Sequence, residues 1–299
     1  MTDFSLIKTA GWKDYELLDT GNYEKLERFG EYIIARPEPQ ACWNKSLTEQ
    51  EWNNLAHARF IRASVKDNQN EKGQWQFLKK MKEQWWIGYN YKTMNLRFRL
   101  GLTAFKHVGL FPEQADNWNY IFDAINETRA IQPKILNLFA YTGGATLAAK
   151  AAGADVTHVD SVKQVISWSR ENMDASNLEG VRWIIDDAMK FVKREVRRGS
   201  RYNGIILDPP AYGRGPEGEK WVLEEQINEL IKNCSELLVP EKSFLILNLY
   251  SMGFSALVAE NLVCDYINNI SRKELGEMFL EDRAGKKLPL GTFFRMKSF

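Results

Sequence analysis

The strongest constraint on the fold is an alternating pattern in the last two thirds of the chain. Five short apolar runs have the character of buried strands, at residues 135–139, 156–159, 181–185, 204–207 and 244–249. Segments with helical character separate or follow them, at residues 145–152, 162–175, 188–197, 223–238 and 254–270. Strands that alternate with helices indicate βαβ units around a parallel sheet. The pattern predicts a doubly wound α/β fold, preceded by a helix at 113–127 and closed by a hairpin at 275–280 and 292–296.

The first third of the chain is built differently. Six of the ten tryptophans lie in the first hundred residues. Short β-like runs at residues 31–35, 85–89 and 94–99 are separated by polar turns, and residues 67–73 have loop composition. We therefore expect a β-rich, mostly antiparallel appendage over residues 1–100, on the substrate side, and a second domain over residues 101–299.

Composition narrows the class of protein. The 299 residues carry a net charge of +1, so overall charge gives no argument for nucleic acid. Three cysteines and three histidines without ligand spacing predict no metal site and fit a reducing compartment. No export signal or spanning segment is visible, which predicts a cytoplasmic protein without membrane contact. Whether it forms a homodimer is left open.

The loops that follow the predicted strands hold the candidate binding residues, because ligands of such sheets bind beyond the carboxyl ends of the strands. After the first strand the chain reads Asn-Leu-Phe-Ala-Tyr-Thr-Gly-Gly at residues 137–144, and a helix follows directly. Paired glycines permit a tight turn and close approach of a ligand, and a helix start favours an anionic group. The next loops begin with Asp160-Ser161, with Asp187-Ala188 and with Asp208-Pro209-Pro210.

Together these loops describe a pocket for an adenosine that carries a charged tail. An acid such as Asp160 can accept both ribose hydroxyls, and Asp187 could accept an adenine amino proton. The loop at residues 141–146, Tyr-Thr-Gly-Gly-Ala-Thr, does not read G-x-G-x-x-G, the nicotinamide fingerprint, and no G-x-x-x-x-G-K-[ST] occurs anywhere in the chain. S-adenosylmethionine, whose methionyl carboxylate fits a shorter glycine turn, is therefore the better fit, and the glycine spacing nearly excludes a nicotinamide dehydrogenase.

Each feature also has a plain structural explanation. The glycine pair can be only a tight turn, Asp160 and Asp187 can be only helix N-caps, and Tyr212 can be only a packed loop aromatic. Asp208-Pro209-Pro210 is harder to dismiss, since two prolines after a buried strand fix the backbone and remove two N–H donors.

These segments resemble the class I S-adenosylmethionine-dependent methyltransferases, in the group related to the large-subunit ribosomal RNA methyltransferases. The resemblance covers about residues 85–299 and includes Lys-His-Val-Gly-Leu-Phe-Pro-Glu-Gln at residues 106–114. It implies a Rossmann-like, seven-stranded, mostly parallel sheet. It also implies a set of cofactor contacts: Lys106, Gln114, Asn137, Phe139, Tyr141, Gly143, Gly144, Asp160, Ser161, Asp187 and Ala188.

The resemblance further implies that Asp208, Pro209, Pro210 and Tyr212 face the methyl acceptor and serve catalysis. Cytosine carbon-5 methylation needs a cysteine nucleophile, and no cysteine lies beside Asp208, so a nitrogen or oxygen acceptor is favoured. Residues 72–99 hold seven basic side chains, one acid and seven aromatics, a mixture typical of single-strand RNA binding, although a solvated basic face is equally consistent. A second basic run, residues 190–201, fits a solvated helix face.

The leading hypothesis is a methyltransferase that modifies a base of ribosomal or other structured RNA. Two alternatives stay open: methylation of a protein or a small molecule, and an RNA-binding protein that keeps the fold without turnover.

Overall fold

The computed structural model describes residues 4–9, 11–63, 72–250 and 253–299. It divides into two compact units. The N-terminal unit comprises Lys8–Glu113 and Phe279–Pro289, and the C-terminal unit comprises Gln114–Met278 with Leu290–Phe299 and the described part of Met1–Ile7. The chain thus passes between units at Glu113 and Gln114, and a domain boundary near residue 100 stays a prediction.

The N-terminal unit is built mainly from antiparallel strands. The first strand of the chain, β1 (Phe4–Lys8), belongs to the C-terminal unit except for its last residue. The elements of the N-terminal unit in order are β2 (Tyr15–Gly21), β3 (Glu24–Phe29), β4 (Tyr32–Pro37), α1 (Glu49–Leu55), β5 (Ala58–Arg62), β6 (Gly73–Phe77), β7 (Gln84–Tyr91) and β8 (Met94–Gly101). Strands β2 to β6 form one sheet in sequence order, in which only the β4–β5 pair is parallel, and β7 and β8 form a separate hairpin.

The C-terminal unit alternates helices and strands after a 3₁₀ turn at Pro112–Gln114. Its elements are α2 (Ala115–Thr128), β9 (Lys134–Leu138), α3 (Gly144–Ala151), β10 (Asp155–Asp160), α4 (Lys163–Ala175), β11 (Val181–Ile185), α5 (Ala188–Arg197), β12 (Gly204–Leu207), β13 (Tyr212–Arg214), β14 (Lys220–Val222), α6 (Leu223–Leu237), β15 (Phe244–Leu249), α7 (Ala256–Cys264), β16 (Arg272–Glu281) and β17 (Lys287–Lys297).

The large sheet confirms the doubly wound α/β prediction. Its strand order is β1-β16-β17-β15-β12-β9-β10-β11. Strands β15, β12, β9, β10 and β11 run parallel, and β17 pairs antiparallel with β15. The chain builds outward from β9 through β10 to β11 and then continues on the other side with β12. The strand order therefore reverses between β9 and β12, which is where ligands bind in such folds.

Two details differ from the sequence-based expectations. The sheet has eight strands, one more than expected, because β1 adds to the edge beside β16. Helix α7 ends at Cys264, although the apolar pattern predicted a helix to residue 270. The predicted loop at residues 67–73 lies mostly outside the described residues, and its last residue, Gly73, begins β6.

Helices α5, α6 and α7 share an apolar core with strands of the large sheet. Helix α6 buries Ile227, Leu230, Ile231 and Cys234, a spacing that forms one helical stripe. That stripe belongs to the same buried cluster as Ile205 and the apolar residues of the neighbouring strands. Each such side chain contributes about 1.5–3 kcal/mol on burial, so the strand ends are held on a rigid base. Within the described residues, no helix has the length and apolarity needed to span a membrane.

Candidate cofactor and acceptor site

Four loops follow the carboxyl ends of neighbouring parallel strands. Leu138 is in register with Val159 of β10 and with Leu207 of β12, and Asp160 is in register with Ile185 of β11. Because the strands are parallel and in register, the loops that begin at residues 139, 161, 186 and 208 leave the same edge of the sheet. The structure therefore brings together the four loops that the sequence analysis selected.

The loop after β9 has an unusual backbone. Phe139, Tyr141 and Gly143 have φ angles of 55°, 48° and 93°, in the left-handed region. A bulky residue rarely adopts this conformation unless surrounding contacts hold it, and such residues cluster at functional sites. Here α4 supplies the contacts: Ser169 Oγ donates to the carbonyl of Tyr141 at 2.7 Å, and Asn172 Nδ2 donates to the carbonyl of Thr142 at 3.0 Å.

The two glycines of this loop are required for different reasons. Gly143 caps α3 with a left-handed backbone that disfavours any residue with a side chain. A Cβ at Gly144 would lie 2.6–2.8 Å from ring atoms of Trp118, so this glycine lets α2 pack against the start of α3. The tight turn expected from the glycine pair is present, and no side chain caps α3, whose first N–H groups point beyond the strand ends.

The carboxylate of Asp160 joins two of the loops. Its Oδ2 accepts the backbone N–H of Tyr141 at 2.9 Å, and its Oδ1 accepts the N–H of Val162 at 2.9 Å. Burial raises the pKa of Asp160, and backbone hydrogen bonds from Val162, Tyr141 and Ser161 oppose that rise. Asp160 does not cap α4, because the residue at the cap position is Val162. Each oxygen has a second lone-pair direction, and the side chain is only partly buried, so it can still accept hydroxyl donors.

Asn137 is turned toward the interior of the unit. Its Nδ2 donates to Oγ1 of Thr146 at 2.9 Å, and Thr146 Oγ1 lies 2.9 Å from Nδ1 of His158. All three side chains are buried, and burial lowers the pKa of His158 to about 3. Within the part of the chain that the structure describes, the neutral imidazole has no hydrogen-bond partner at Nε2. Asn137 thus links β9 with α3 and β10 beneath the glycine loop, and a cofactor contact from it stays a prediction.

Asp187 is the N-cap of α5, as the alternative explanation proposed. Its Oδ1 accepts the N–H of Lys190 at 2.9 Å, and its own N–H donates to Asp186 Oδ1 at 2.9 Å. The Asp186 carboxylate also pairs with Arg194 at 2.7 Å. Ala188 is the first residue of the helix. The cap uses one oxygen of Asp187, so its capping role and a contact to adenine do not exclude each other.

Two exposed apolar side chains beside these acids were missed by the sequence analysis. Val162 is 46% exposed and Ile185 is 44% exposed, whereas the neighbouring core residues are buried. Val162 lies two residues after Asp160, at the N-cap of α4, and Ile185 is opposite Asp160 on β11. Exposed branched side chains at the edge of a cleft are suited to contact a flat aromatic ligand. A search limited to polar motifs could not have found them.

The segment after β12 turns into the small hairpin β13–β14. Pro209 is buried, and the carbonyl of Pro210 accepts the indole N–H of Trp221 at 2.7 Å. The Trp221 ring packs against Phe139 with centroids 5.0 Å apart. Trp221, a residue that the sequence analysis missed, therefore connects the loop after β9 with the loop after β12. Asp208 is partly buried at the strand end, and Tyr212 is 53% exposed at the start of the hairpin.

The two remaining predicted cofactor residues lie in different units. Gln114 Oε1 accepts from Asn117 Nδ2 at 2.7 Å and from Asn248 Nδ2 at 3.1 Å, which places its amide at the carboxyl end of β15. Lys106 belongs to the N-terminal unit, where its carbonyl accepts from Arg36 Nη1 at 3.1 Å. Among the described residues, no cluster of three or more His, Cys, Asp or Glu side chains is arranged to hold a metal ion.

Comparison with protein families identifies this arrangement. A family model for S-adenosylmethionine-dependent methyltransferases matches residues 50–266. The chain belongs to this family. The resemblance seen in the loop sequences is thereby confirmed, and the match begins upstream of residue 85, within α1.

Solved structures agree with this assignment. A crystal structure of the SAM-dependent methyltransferase from Agrobacterium tumefaciens is 36% identical, covers 99% of this chain and 94% of its own, and superposes with a TM-score of 0.89. A methyltransferase named SMU.776, solved in complex with SAH, shares the fold at 16% identity, with a TM-score of 0.69 over 95% of this chain and 75% of its own.

Curated relatives match a shorter stretch. Ribosomal RNA large subunit methyltransferase K/L of Shewanella frigidimarina is 29% identical over 156 residues, which are 51% of this chain and 21% of the relative. The protein of the same name from Magnetococcus marinus is 30% identical over 49% of this chain and 20% of its own length. The methyltransferase described here thus aligns with about a fifth of the length of these relatives.

The residues at the sheet edge fit S-adenosylmethionine, the cofactor of the family. Asp160 is a partly exposed carboxylate with spare lone pairs, as a ribose diol requires. Val162 and Ile185 supply apolar surface beside it. The start of α3 has no side-chain cap, so its N–H groups are available to a carboxylate. These three features match the sugar, the base and the amino-acid part of the cofactor.

Proposed function

We propose that this methyltransferase transfers the methyl group of S-adenosylmethionine to a nitrogen or oxygen atom of a base in structured RNA, with ribosomal RNA as the leading substrate. The observation that carries the cofactor part of the proposal is the carboxylate of Asp160, which links the loops after β9 and β10 at the switch point of the sheet. The names of the curated relatives support ribosomal RNA as the substrate class.

In this proposal different residues at the edge of the sheet bind different parts of the cofactor. Asp160 holds the ribose hydroxyls, Asp187 and Ala188 face the adenine, and Phe139, Tyr141 and the two glycines surround the methionyl part. Ser161, Gln114 and Asn137 complete the set within the C-terminal unit. When bound, the cofactor supplies an already activated methyl group on its sulfonium.

The protein's task is then to position the acceptor in a water-poor pocket. We assign this to the loop after β12. The Asp208 carboxylate accepts N–H protons of an amine acceptor and aims its lone pair. Pro209 and Pro210 keep the backbone rigid, and the Pro210 carbonyl is fixed further by Trp221. The exposed ring of Tyr212 is available to stack on a flipped base.

The environments of the two cysteines in the C-terminal unit support a nitrogen or oxygen acceptor over cytosine carbon-5. Cys234 is fully buried in α6, where burial raises the pKa of its thiol well above the ordinary value. Burial also raises the pKa of Cys264, at the end of α7. Cys42 belongs to the N-terminal unit. Neither thiol of the C-terminal unit is a ready nucleophile for attack on a pyrimidine ring.

The test is transfer of a tritiated methyl group from S-adenosylmethionine into fractionated extract of cells that lack the protein. Label in ribosomal RNA, followed by nucleoside analysis, would establish the substrate and the acceptor atom. Asp208→Ala should abolish most of the transfer, while Glu241→Ala, an exposed carboxylate before β15, should not change it. Label only in protein or small molecules would overturn the RNA substrate, and no label despite cofactor binding would favour a binding role.

A further inference from the structure

The β7–β8 hairpin of the N-terminal unit has two faces of opposite chemistry. Side chains alternate between faces along a strand. The inner face is apolar and buried, with Trp85, Ile87, Leu96 and Phe98 among its members. The outer face carries polar and cationic groups around one indole ring: Gln84, Trp86, Asn90, Asn95, Arg97 and Arg99.

The inner face holds the hairpin in place. The indole N–H of Trp85 donates to the carbonyl of Phe29 at 3.0 Å, and its ring meets Tyr32 edge to face with centroids 5.4 Å apart. Both partners belong to the five-stranded sheet of the same unit. Because Trp85 is fixed inward, the next residue, Trp86, is directed outward, and its side chain is 41% exposed. A large aromatic residue on a rigid strand gives a flat surface that needs little ordering on binding.

Cationic groups surround this indole. The guanidinium carbon of Arg97 lies 5.7 Å from the centroid of the Trp86 ring, within the range of a cation–π contact. Arg99 is the residue directly opposite Trp86 in the hairpin register. The residue opposite Arg97 is Gly88, and a Cβ at that position would lie 3.5 Å from Oδ2 of Asp14.

The charge of this face is suited to an anion. Neither β7 nor β8 contains an Asp or Glu residue. The carboxylate of Asp14 accepts the backbone N–H of Gly88 at 2.8 Å, so this acid also lies beside the hairpin. An aromatic surface flanked by arginines and side-chain amides matches the parts of an unpaired nucleotide: the base stacks, the phosphate pairs with the cation, and the amides meet the base edge.

We propose that the outer face of β7–β8 binds a single-stranded segment of the RNA substrate, with one base stacked on Trp86 and the adjoining phosphates at Arg97 and Arg99. The inference rests on the proposed function for the substrate class and adds the surface that recognises it. It assigns to the N-terminal unit a role in holding RNA, separate from the cofactor loops of the C-terminal unit.

The test is fluorescence anisotropy of a labelled oligouridylate of about 12 nucleotides, a length within the usual single-strand site size. Trp86→Ala should weaken binding by about 10- to 100-fold, the scale of one lost stacking contact. Arg97→Ala should weaken binding and reduce its salt dependence. Tyr23→Ala, an exposed aromatic elsewhere in the unit, and Arg62→Ala, an exposed cation on β5, should bind as the wild type does.

Heparin, a polyanion without bases, separates stacking from charge. Arg97→Ala should weaken heparin binding, and Trp86→Ala should not. If Trp86→Ala binds oligouridylate with wild-type affinity, the inference is wrong, and the surface serves a protein contact or none. The proposed function is judged separately by methyl transfer: transfer into RNA with unchanged binding by Trp86→Ala overturns only this inference, whereas no RNA binding or transfer by the wild type overturns both.

Discussion

The backbone N–H of Tyr141 donates to Oδ2 of Asp160 over 2.9 Å, although the two residues follow different strands. Tyr141 is held in a left-handed conformation, and the same carboxylate also accepts the N–H of Val162. One acidic side chain therefore sets the backbone of two loops. Asp160 is both the proposed ribose acceptor and the residue that holds the loop proposed to surround the methionyl part. Replacing Asp160 should therefore weaken the binding of both parts of the cofactor.

Asp187 offers a way to separate capping from cofactor binding. Asp187→Ser should keep the cap of α5, since serine is an equally good N-cap, whereas Asp187→Ala should cost about 1 kcal/mol of unfolding free energy. If Asp187 also contacts adenine, both variants should bind S-adenosylhomocysteine more weakly. Urea unfolding and calorimetric titration of both proteins make the comparison. If Asp187→Ser binds S-adenosylhomocysteine with wild-type affinity, Asp187 serves only as the N-cap of α5 and does not contact the adenine.

Gly143 is expected to matter for binding as well as stability. Gly143→Ala places a side chain at a φ of 93° and 3.3 Å from Cβ of Ser169, so it should lower the unfolding free energy by about 1–3 kcal/mol and weaken cofactor binding. Gly153→Ala is the matched control: its φ is 87°, and a Cβ there meets nothing within 4 Å. Gly153→Ala should lower the unfolding free energy through backbone strain and leave cofactor affinity unchanged. Equal cofactor affinity in the two variants would contradict a binding role for the loop.

The contact between Gly144 and Trp118 predicts a rescue. Gly144→Ala should destabilise the protein by about 1–3 kcal/mol, because the added methyl group overlaps the indole ring. Trp118→Leu removes the indole ring that the methyl group would meet. In a double-mutant cycle the two changes should be strongly non-additive, with Gly144→Ala costing little in the Trp118→Leu background. If the losses of unfolding free energy are additive, the methyl group of Gly144→Ala does not collide with the Trp118 ring.

Glu113 should make stability depend on pH. Burial raises the pKa of its carboxyl to about 7, with the nearby charge of Glu27 acting in the same direction and Lys25 and Arg36 opposing it. A raised pKa means that the folded state binds the proton more tightly than the unfolded chain does. Stability should therefore fall as the pH rises from about 4.5 through 7, and Glu113→Gln should flatten this slope. Denaturant midpoints across that range test the sign, and a slope unchanged by Glu113→Gln would refute it.

The C-terminal unit was largely predictable because its signals are local. Strands β11, β12 and β15 and helix α5 were predicted to the residue, since each is a mainly apolar run or a clear amphipathic stripe. Helix α7 was predicted too long. Its continuation contains Asn268 and Asn269, which favour non-helical backbone, and Asn269 Nδ2 donates to the carbonyl of Pro240.

Long-range contacts account for what the sequence analysis missed. The five residues of β1 carry no local sign of their partner. Gly276 makes room for them, since a Cβ there would overlap the carbonyl of Ser5. At the site, the order of the loops was predictable from strand ends alone. Trp118, Trp221 and Ser169 were not, because each reaches its loop from an element distant in sequence.

The measurement that tests the account most directly is calorimetric titration of S-adenosylhomocysteine into the wild type, Asp160→Ala and Asp160→Asn. Asp155→Ala, an exposed carboxylate at the opposite end of the same strand, is the control. The account predicts binding by the wild type and the control. It also predicts a loss of about 1.5–3 kcal/mol in Asp160→Ala, the scale of hydrogen bonds to a charged group, and a loss in Asp160→Asn. Wild-type affinity in a folded Asp160→Ala protein would contradict it.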